Sequence, residues 1–141
     1  LCLLGNGPLL SVCRQLARGN QNISLPGEVS NVTDYFRAAD LFVSASRAEG
    51  MPNAVLEALA TGLPVVLSDI PAHREILDVC PDYGWLYNLG DQNGLCKLLD
   101  YITTTTPIDR IARDSIKDNF SAQSMSEAYQ QLYQNSLNDI A

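Results

Sequence analysis

Two glutamates that stand eight residues apart in the middle of the sequence are the side chains best suited to chemistry. Glu49 lies in a predicted loop, and Glu57 lies in a predicted helix that begins near Pro52. Glu57 is one helical turn beyond Asn53, so these two residues share a helix face. Because a carboxylate accepts two charge-assisted hydrogen bonds, it suits the paired hydroxyls of a sugar. One such carboxylate could hold a ribose and the other a transferred hexose, although the spacing by itself is a weak signal.

The start of the same helix is a predicted anion site. A proline in the first turn lacks only a donor that the helix would leave unpaired. The amides from Asn53 to Val55 are expected to be free and, with the helix dipole, to face a phosphate. Gly50 would let a substrate approach the backbone closely. Taken from spacing alone, the alternative is an ordinary loop acid and a solvated helix glutamate, because acidic side chains are mostly exposed.

The elements that must position these residues are short apolar runs that alternate with helical patterns. This order predicts an α/β fold with a Rossmann-like, doubly wound parallel sheet, in which ligands bind at the carboxyl ends of the strands. We see no internal repeat and no second domain, so residues 1–141 are expected to form one domain. The predicted strands are 1–4, 23–25, 41–43, 63–67 and 84–87, and the predicted helices are 9–18, 32–39, 52–60, 71–77, 91–103, 107–118 and 122–136.

Composition excludes several classes of protein. With 46% hydrophobic and 18% charged residues, the chain is too apolar to be disordered. A net charge of −7 opposes nucleic-acid binding through bulk electrostatics. No uncharged apolar run reaches the roughly 18 residues that a membrane span needs. The four cysteines form no C-x-x-C pair and the single histidine cannot complete a zinc site, so we expect reduced thiols in a cytoplasmic protein.

The string EGMPNAVLEALATGLPVVLSD at residues 49–69 resembles the E-x7-E signature of the retaining family-four glycosyltransferases, which have the GT-B fold. Residues 3–9, 25–29, 34–40 and the closing stretch 120–133 are similar to flanking blocks of that family. The resemblance implies transfer of a sugar from a nucleotide-sugar donor to a glycan, lipid or polysaccharide-precursor acceptor, with retention of anomeric configuration. It also implies no metal or other cofactor, and the sequence contains no D-x-D pair.

The resemblance implies a role for each matching residue. Glu49 matches the catalytic or sugar-positioning glutamate, and Glu57 matches the glutamate that binds the ribose hydroxyls. The other implied donor-binding residues are Gly50, Met51, Pro52 and Asn53 beside the sugar and diphosphate, Gly27, Glu28 and Val29 near the nucleobase, and Gly5 and Gly7 near the cleft.

The first residues, 1–4, resemble a strand already under way, without an initiator Met or a signal peptide. We therefore expect an N-terminally truncated C-terminal donor domain, with helices over about 107–136, whose partner is a missing N-terminal acceptor-binding domain. The family's phosphate-binding Arg and Lys would precede residue 1, and neither Arg47 nor Arg74 matches their positions. The whole protein is expected to be cytoplasmic, with attachment to the inner membrane face through the missing domain as an alternative.

Two other functions stay open, namely a non-catalytic nucleotide-sugar-binding module and a GT-B nucleotide-sugar epimerase. The glycines at Gly5 and Gly7 are a poor dinucleotide fingerprint, because the third glycine is missing and a proline follows. The stretch from Ser68 to Glu75 lacks the Gly-Gly pair of many family members. His73 is expected to be a partly exposed helix residue, with a role at the rim of the cleft as the alternative.

Overall fold

The computed structural model describes residues 1–105 together with Gln123 and Gln130. The chain divides into two compact units, Leu1–Tyr35 and a second that begins at Phe36. Parallel strands and helices build each unit, which confirms the predicted α/β class. The helices predicted over 107–118 and 122–136 lie outside the described residues, apart from the two glutamines.

The first unit contains a two-stranded parallel sheet. Its elements are β1 (Cys2–Leu4), α1 (Leu10–Leu16) and β2 (Ser24–Gly27), and α2 (Val32–Ala38) follows. Cys2 pairs with Ser24 and Leu4 pairs with Gly27, so the register shifts by one residue between the two pairs. The left-handed backbone of Gly27, with φ of 89°, closes β2 at this irregularity.

The second unit contains a three-stranded parallel sheet in the order β3-β4-β5. The sequence predicts the strands from local apolar runs but carries no signal for which strands pair, so the division of the five strands into two sheets was not foreseen. The elements are β3 (Phe42–Ser44), α3 (Asn53–Ala60), β4 (Val65–Ser68), α4 (Pro71–Val79), a 3-10 turn (Pro81–Tyr83), β5 (Gly84–Tyr87) and α5 (Gln92–Thr105).

Helices cover both faces of this sheet. On one face Val66 and Tyr87 pack against Ile102 of α5, and all three side chains are buried. One residue earlier along β4, Val65 pairs with Gly84 of β5. The Leu77 side chain of α4 packs against the sheet at this pair. Because successive strand residues point to opposite faces, α5 and α4 lie on opposite sides. This is the helix-on-both-faces packing that the doubly wound prediction requires.

A Schellman motif ends α3 and turns the chain toward β4. The amide of Gly62 donates to the Leu59 carbonyl at 2.8 Å, and the amide of Leu63 donates to the Ala58 carbonyl at 3.1 Å. Gly62 has a φ of 78°, the left-handed conformation that this motif requires. Gly62 therefore ends the helix that carries Glu57 and leads the chain into the central strand.

The Gly84→Ala substitution should destabilise the fold by about 1–3 kcal/mol through overpacking. A Cβ there would lie 2.5 Å from both Val65 Cγ2 and the Val65 carbonyl oxygen. Urea unfolding would measure the loss, with Gly50→Ala as the matched control because a Cβ at Gly50 meets nothing within 4 Å. Equal midpoints for the two variants would contradict this account of the packing.

Candidate functional site

The loop over residues 45–52, between β3 and α3, presents Glu49 at the carboxyl end of β3. The Ser46 hydroxyl donates a hydrogen bond to Glu49 Oε1 at 2.7 Å, and Ser44 Oγ lies 3.4 Å from Ser46 Oγ. Glu49 is exposed. One carboxylate oxygen is therefore held by the loop while the group stays accessible to a ligand.

The same loop is tied to the buried end of β4. The Ser68 hydroxyl donates to the Ser46 carbonyl at 2.6 Å, and the Ser68 side chain is fully buried. His73 in α4 places Nδ1 2.8 Å from the Ser68 carbonyl oxygen and 3.3 Å from Ser68 Oγ. Ser46 lies before the motif string of residues 49–69 and Ser68 lies near its end, and neither serine was predicted as a site residue.

The expectation for His73 was wrong. The side chain is 0% exposed, rather than partly exposed on a helix or placed at a rim. It lies on the inward face of α4, where the Ser68 carbonyl satisfies Nδ1. Within the described part of the chain, Nε2 is buried and has no hydrogen-bond partner.

The start of α3 offers fewer free amides than expected. Pro52, with φ of −80° and ψ of 75°, is the centre of an inverse γ-turn in which the Asn53 amide donates to the Met51 carbonyl at 2.9 Å. The Val55 amide donates to the Pro52 carbonyl at 2.9 Å. The prediction of free amides is thus wrong for Asn53 and Val55. The Ala54 amide alone among the three has no carbonyl partner in the described residues.

Glu57 is the fifth residue of α3 and is exposed. It stands about 6 Å along the helix axis from Asn53, which is also exposed. Helical side chains lean toward the N-terminus of their helix, and the Glu49 loop leads into that end of α3. No hydrogen bond or ion pair occupies Glu57 within the described residues, so both its oxygens can accept from hydroxyls.

The structure also brings together the site residues predicted in the first unit. The Gly5 amide donates to the Gly27 carbonyl at 2.8 Å, and their φ values of 120° and 89° favour glycine at both positions. Gly5 and Gly7 line an open depression of about 390 Å³. Exposed Glu28 and half-buried Val29 follow Gly27, at the same carboxyl end of the β1–β2 sheet.

Arg47 and Arg74 differ in their partners. Arg74 donates to Asp69 through Nε to Oδ1 and through Nη2 to Oδ2, the latter at 2.7 Å. This hydrogen bond, more than the charge itself, lowers the pKa of Asp69 and raises the pKa of Arg74. Arg74 is therefore already engaged, whereas Arg47 is exposed and has no ion pair in the part of the chain that is described.

No three His, Cys, Asp or Glu side chains among the described residues lie close enough together to hold a metal ion, and metal independence stays a prediction. None of the described helices combines the length and apolar character that crossing a bilayer demands. The four cysteines are unpaired, and burial raises the pKa of the Cys80 thiol, which donates to the Ile76 carbonyl at 2.9 Å.

Comparison with known proteins identifies relatives of the chain. Residues 1–104 match the family described as glycosyl transferases group 1. The chain is 49% identical over 51 residues to the lipopolysaccharide core biosynthesis mannosyltransferase LpsB of Rhizobium meliloti (strain 1021). These 51 residues are 36% of this chain and 14% of that protein. It is 25% identical over 146 residues to N-acetyl-alpha-D-glucosaminyl L-malate synthase of Bacillus anthracis, covering 99% of this chain and 38% of the relative.

A solved structure shares the fold. Sucrose-phosphate synthase from Thermosynechococcus elongatus superposes with a TM-score of 0.76 at 20% sequence identity, over 99% of this chain and 39% of that one. The fold is thus that of GT-B glycosyltransferases, as predicted. The chain spans no more than 39% of any of these three proteins.

The Asp69→Asn substitution should reduce the stability of the protein at neutral pH but not in acid. Because the pKa of Asp69 is lowered from its usual 3.8, the pair with Arg74 stabilises the fold above that pH and loses its effect as the pH falls through the lowered pKa. Urea unfolding at pH 7 and below pH 4 would show the difference from wild type shrinking in acid. Exposed Asp100→Asn is the control, and a difference that persists undiminished in acid would contradict the pairing.

Proposed function

The chain belongs to the group 1 glycosyl transferases, and from that premise we propose that it forms the donor-binding part of a longer, retaining enzyme. The enzyme transfers a sugar from a nucleotide-sugar donor to a glycan, lipid or polysaccharide-precursor acceptor. One observation carries the proposal. The Glu49 carboxylate accepts a hydrogen bond from Ser46 yet stays exposed, and it lies at the carboxyl end of β3 just before the helix that presents Glu57. This is the position at which parallel α/β sheets bind ligands.

Each part of the site has a role in this proposal. Glu49 contacts the donor sugar, and Glu57 accepts hydrogen bonds from the ribose hydroxyls. The Ala54 amide and the α3 dipole face the diphosphate. Open space around the Cα of Gly50, where a Cβ would meet nothing within 4 Å, supports a close approach of the sugar to the loop.

The departing diphosphate needs positive charge beside it. When the bond from the anomeric carbon to the phosphate oxygen breaks, negative charge grows on the leaving group. Two of the first three α3 amides are occupied, and Arg74 is engaged with Asp69. We therefore assign the remaining charge to the family's Arg and Lys, which would be supplied by sequence outside this chain and would complete the site.

The acceptor is assigned to a separate domain. The relatives named above are a lipopolysaccharide core mannosyltransferase and an N-acetyl-alpha-D-glucosaminyl L-malate synthase, so the products in their names differ although both match this chain. Acceptor choice therefore belongs to an N-terminal domain that this chain does not contain. We place the whole enzyme in the cytoplasm, attached to the inner membrane face where its acceptor is a lipid.

The Glu57→Gln substitution in the full-length protein should weaken nucleoside diphosphate binding about tenfold or more, because hydrogen bonds to a charged group are lost. Calorimetric titration with UDP, GDP and ADP would measure the change. Exposed Glu75→Gln on α4 is the matched control and should bind as the wild type does. If the Glu57 variant and the wild type bind with equal affinity, Glu57 does not bind the ribose hydroxyls.

The Glu49→Ala substitution should lower turnover by about a hundredfold or more while nucleoside diphosphate affinity stays near wild type, because Glu49 acts at the sugar. Nucleotide release from UDP-glucose, UDP-N-acetylglucosamine and GDP-mannose would be followed with an acceptor panel. Wild-type turnover in the variant would contradict the role.

Three outcomes for the wild-type protein separate the candidate functions. Transfer with an unchanged anomeric configuration, read by NMR of the product, supports the proposal. Binding of a donor without nucleotide release identifies a binding module. Conversion of one sugar nucleotide into another identifies an epimerase.

A further inference from the structure

We propose that Ser46 is a positioning residue for Glu49 and that Ser68 and His73 hold Ser46 in place. We name these three residues the serine–histidine brace. The inference rests on the proposed function, because it assigns the brace to the donor-sugar step through Glu49. None of the three residues belongs to the E-x7-E motif.

The donors and acceptors of the brace can be assigned from its geometry. The Ser68 carbonyl oxygen can only accept, so the His73 Nδ1 atom 2.8 Å away must carry a proton. That N–H also points toward Ser68 Oγ at 3.3 Å, which leaves the hydroxyl proton of Ser68 for the Ser46 carbonyl at 2.6 Å. The polarity therefore runs in one direction, from His73 through Ser68 to the backbone of Ser46.

Ser46 transmits this constraint to the carboxylate. Its carbonyl is held by buried Ser68 while its hydroxyl donates to Glu49 Oε1 at 2.7 Å. Residues 47–51 of the loop are exposed. The link to β4 therefore supplies an internal anchor for a solvent-facing side chain, and a carboxylate held in one orientation loses less freedom when a sugar binds.

Burying the His73 side chain costs free energy, and packing alone does not explain why a histidine stands there. The buried Nε2 atom has no hydrogen-bond partner among the described residues. An apolar side chain of similar volume would fill the site without that unsatisfied nitrogen. What offsets the cost is the Nδ1–H bond that orients Ser68.

The first test compares Ser46→Ala with Ser46→Thr in the full-length protein. Ser46 is half-buried, so neither variant should prevent folding, which circular dichroism would verify. Turnover of the sugar nucleotide that the wild-type protein uses should fall about tenfold in the alanine variant and return close to wild type in the threonine variant. Affinity for the matching nucleoside diphosphate should not change. An alanine variant with wild-type turnover, or no rescue by threonine, would overturn the positioning role.

A double-mutant cycle tests whether Ser46 acts through Glu49. If it does, Ser46→Ala should cause no further loss of turnover when Glu49 is already alanine. Additive losses would overturn the coupling. Should Glu49→Ala alone keep full turnover, the proposed function fails and the brace fails with it, whereas loss in Glu49→Ala without loss in Ser46→Ala overturns the brace alone.

The buried end of the brace is tested by His73→Asn and His73→Leu. Asparagine can place an N–H near the position of Nδ1, so it should recover part of the turnover that leucine loses, at unchanged nucleoside diphosphate affinity. Nitrogen NMR of the imidazole should show the proton on Nδ1 in the wild-type protein. A proton on Nε2 alone, or equal turnover in the two variants, would overturn the assignment.

Discussion

Burial of β4 is the constraint on which the rest of the second unit depends. All four residues from Val65 to Ser68 are buried, with parallel neighbours on both edges and helices on both faces. A strand so enclosed must be apolar, and its last residue, Ser68, can be polar only because its hydroxyl has a partner in the β3–α3 loop. The hydrogen bond that satisfies the buried Ser68 hydroxyl therefore also fixes the loop that presents Glu49.

The E-x7-E segment and its flanking elements were predictable because their signals are local. Apolar runs, the proline before α3 and the glycine after it together define a strand, a loop and a helix. The carboxyl-end placement of Glu49 then follows from parallel pairing. These features need only neighbouring residues and the general rules of α/β folds.

The remaining features depend on contacts between distant residues or on dihedral angles. His73 is buried because α4 packs on the sheet, and its spacing of three and four residues from buried Ile76 and Leu77 was the only local sign of its inward face. The partnership of Ser46 and Ser68 spans 22 residues. The occupied Asn53 amide results from the ψ of Pro52, which the sequence leaves open. Strand pairing likewise has no local signature, so the two sheets could not be separated in advance.

In the proposed donor site, the inverse γ-turn at Pro52 would affect how long a diphosphate stays bound. At the start of α3 most backbone amides already donate to nearby carbonyls. Such a helix start attracts a diphosphate through the helix dipole but donates few direct hydrogen bonds to it. Fewer bonds mean faster dissociation, because differences in affinity are expressed mainly in off-rates. A sugar-transfer site must discard a spent nucleoside diphosphate in every cycle, and release often limits the rate of an enzyme. In the proposed enzyme, the turn would therefore favour a short residence time for the nucleoside diphosphate.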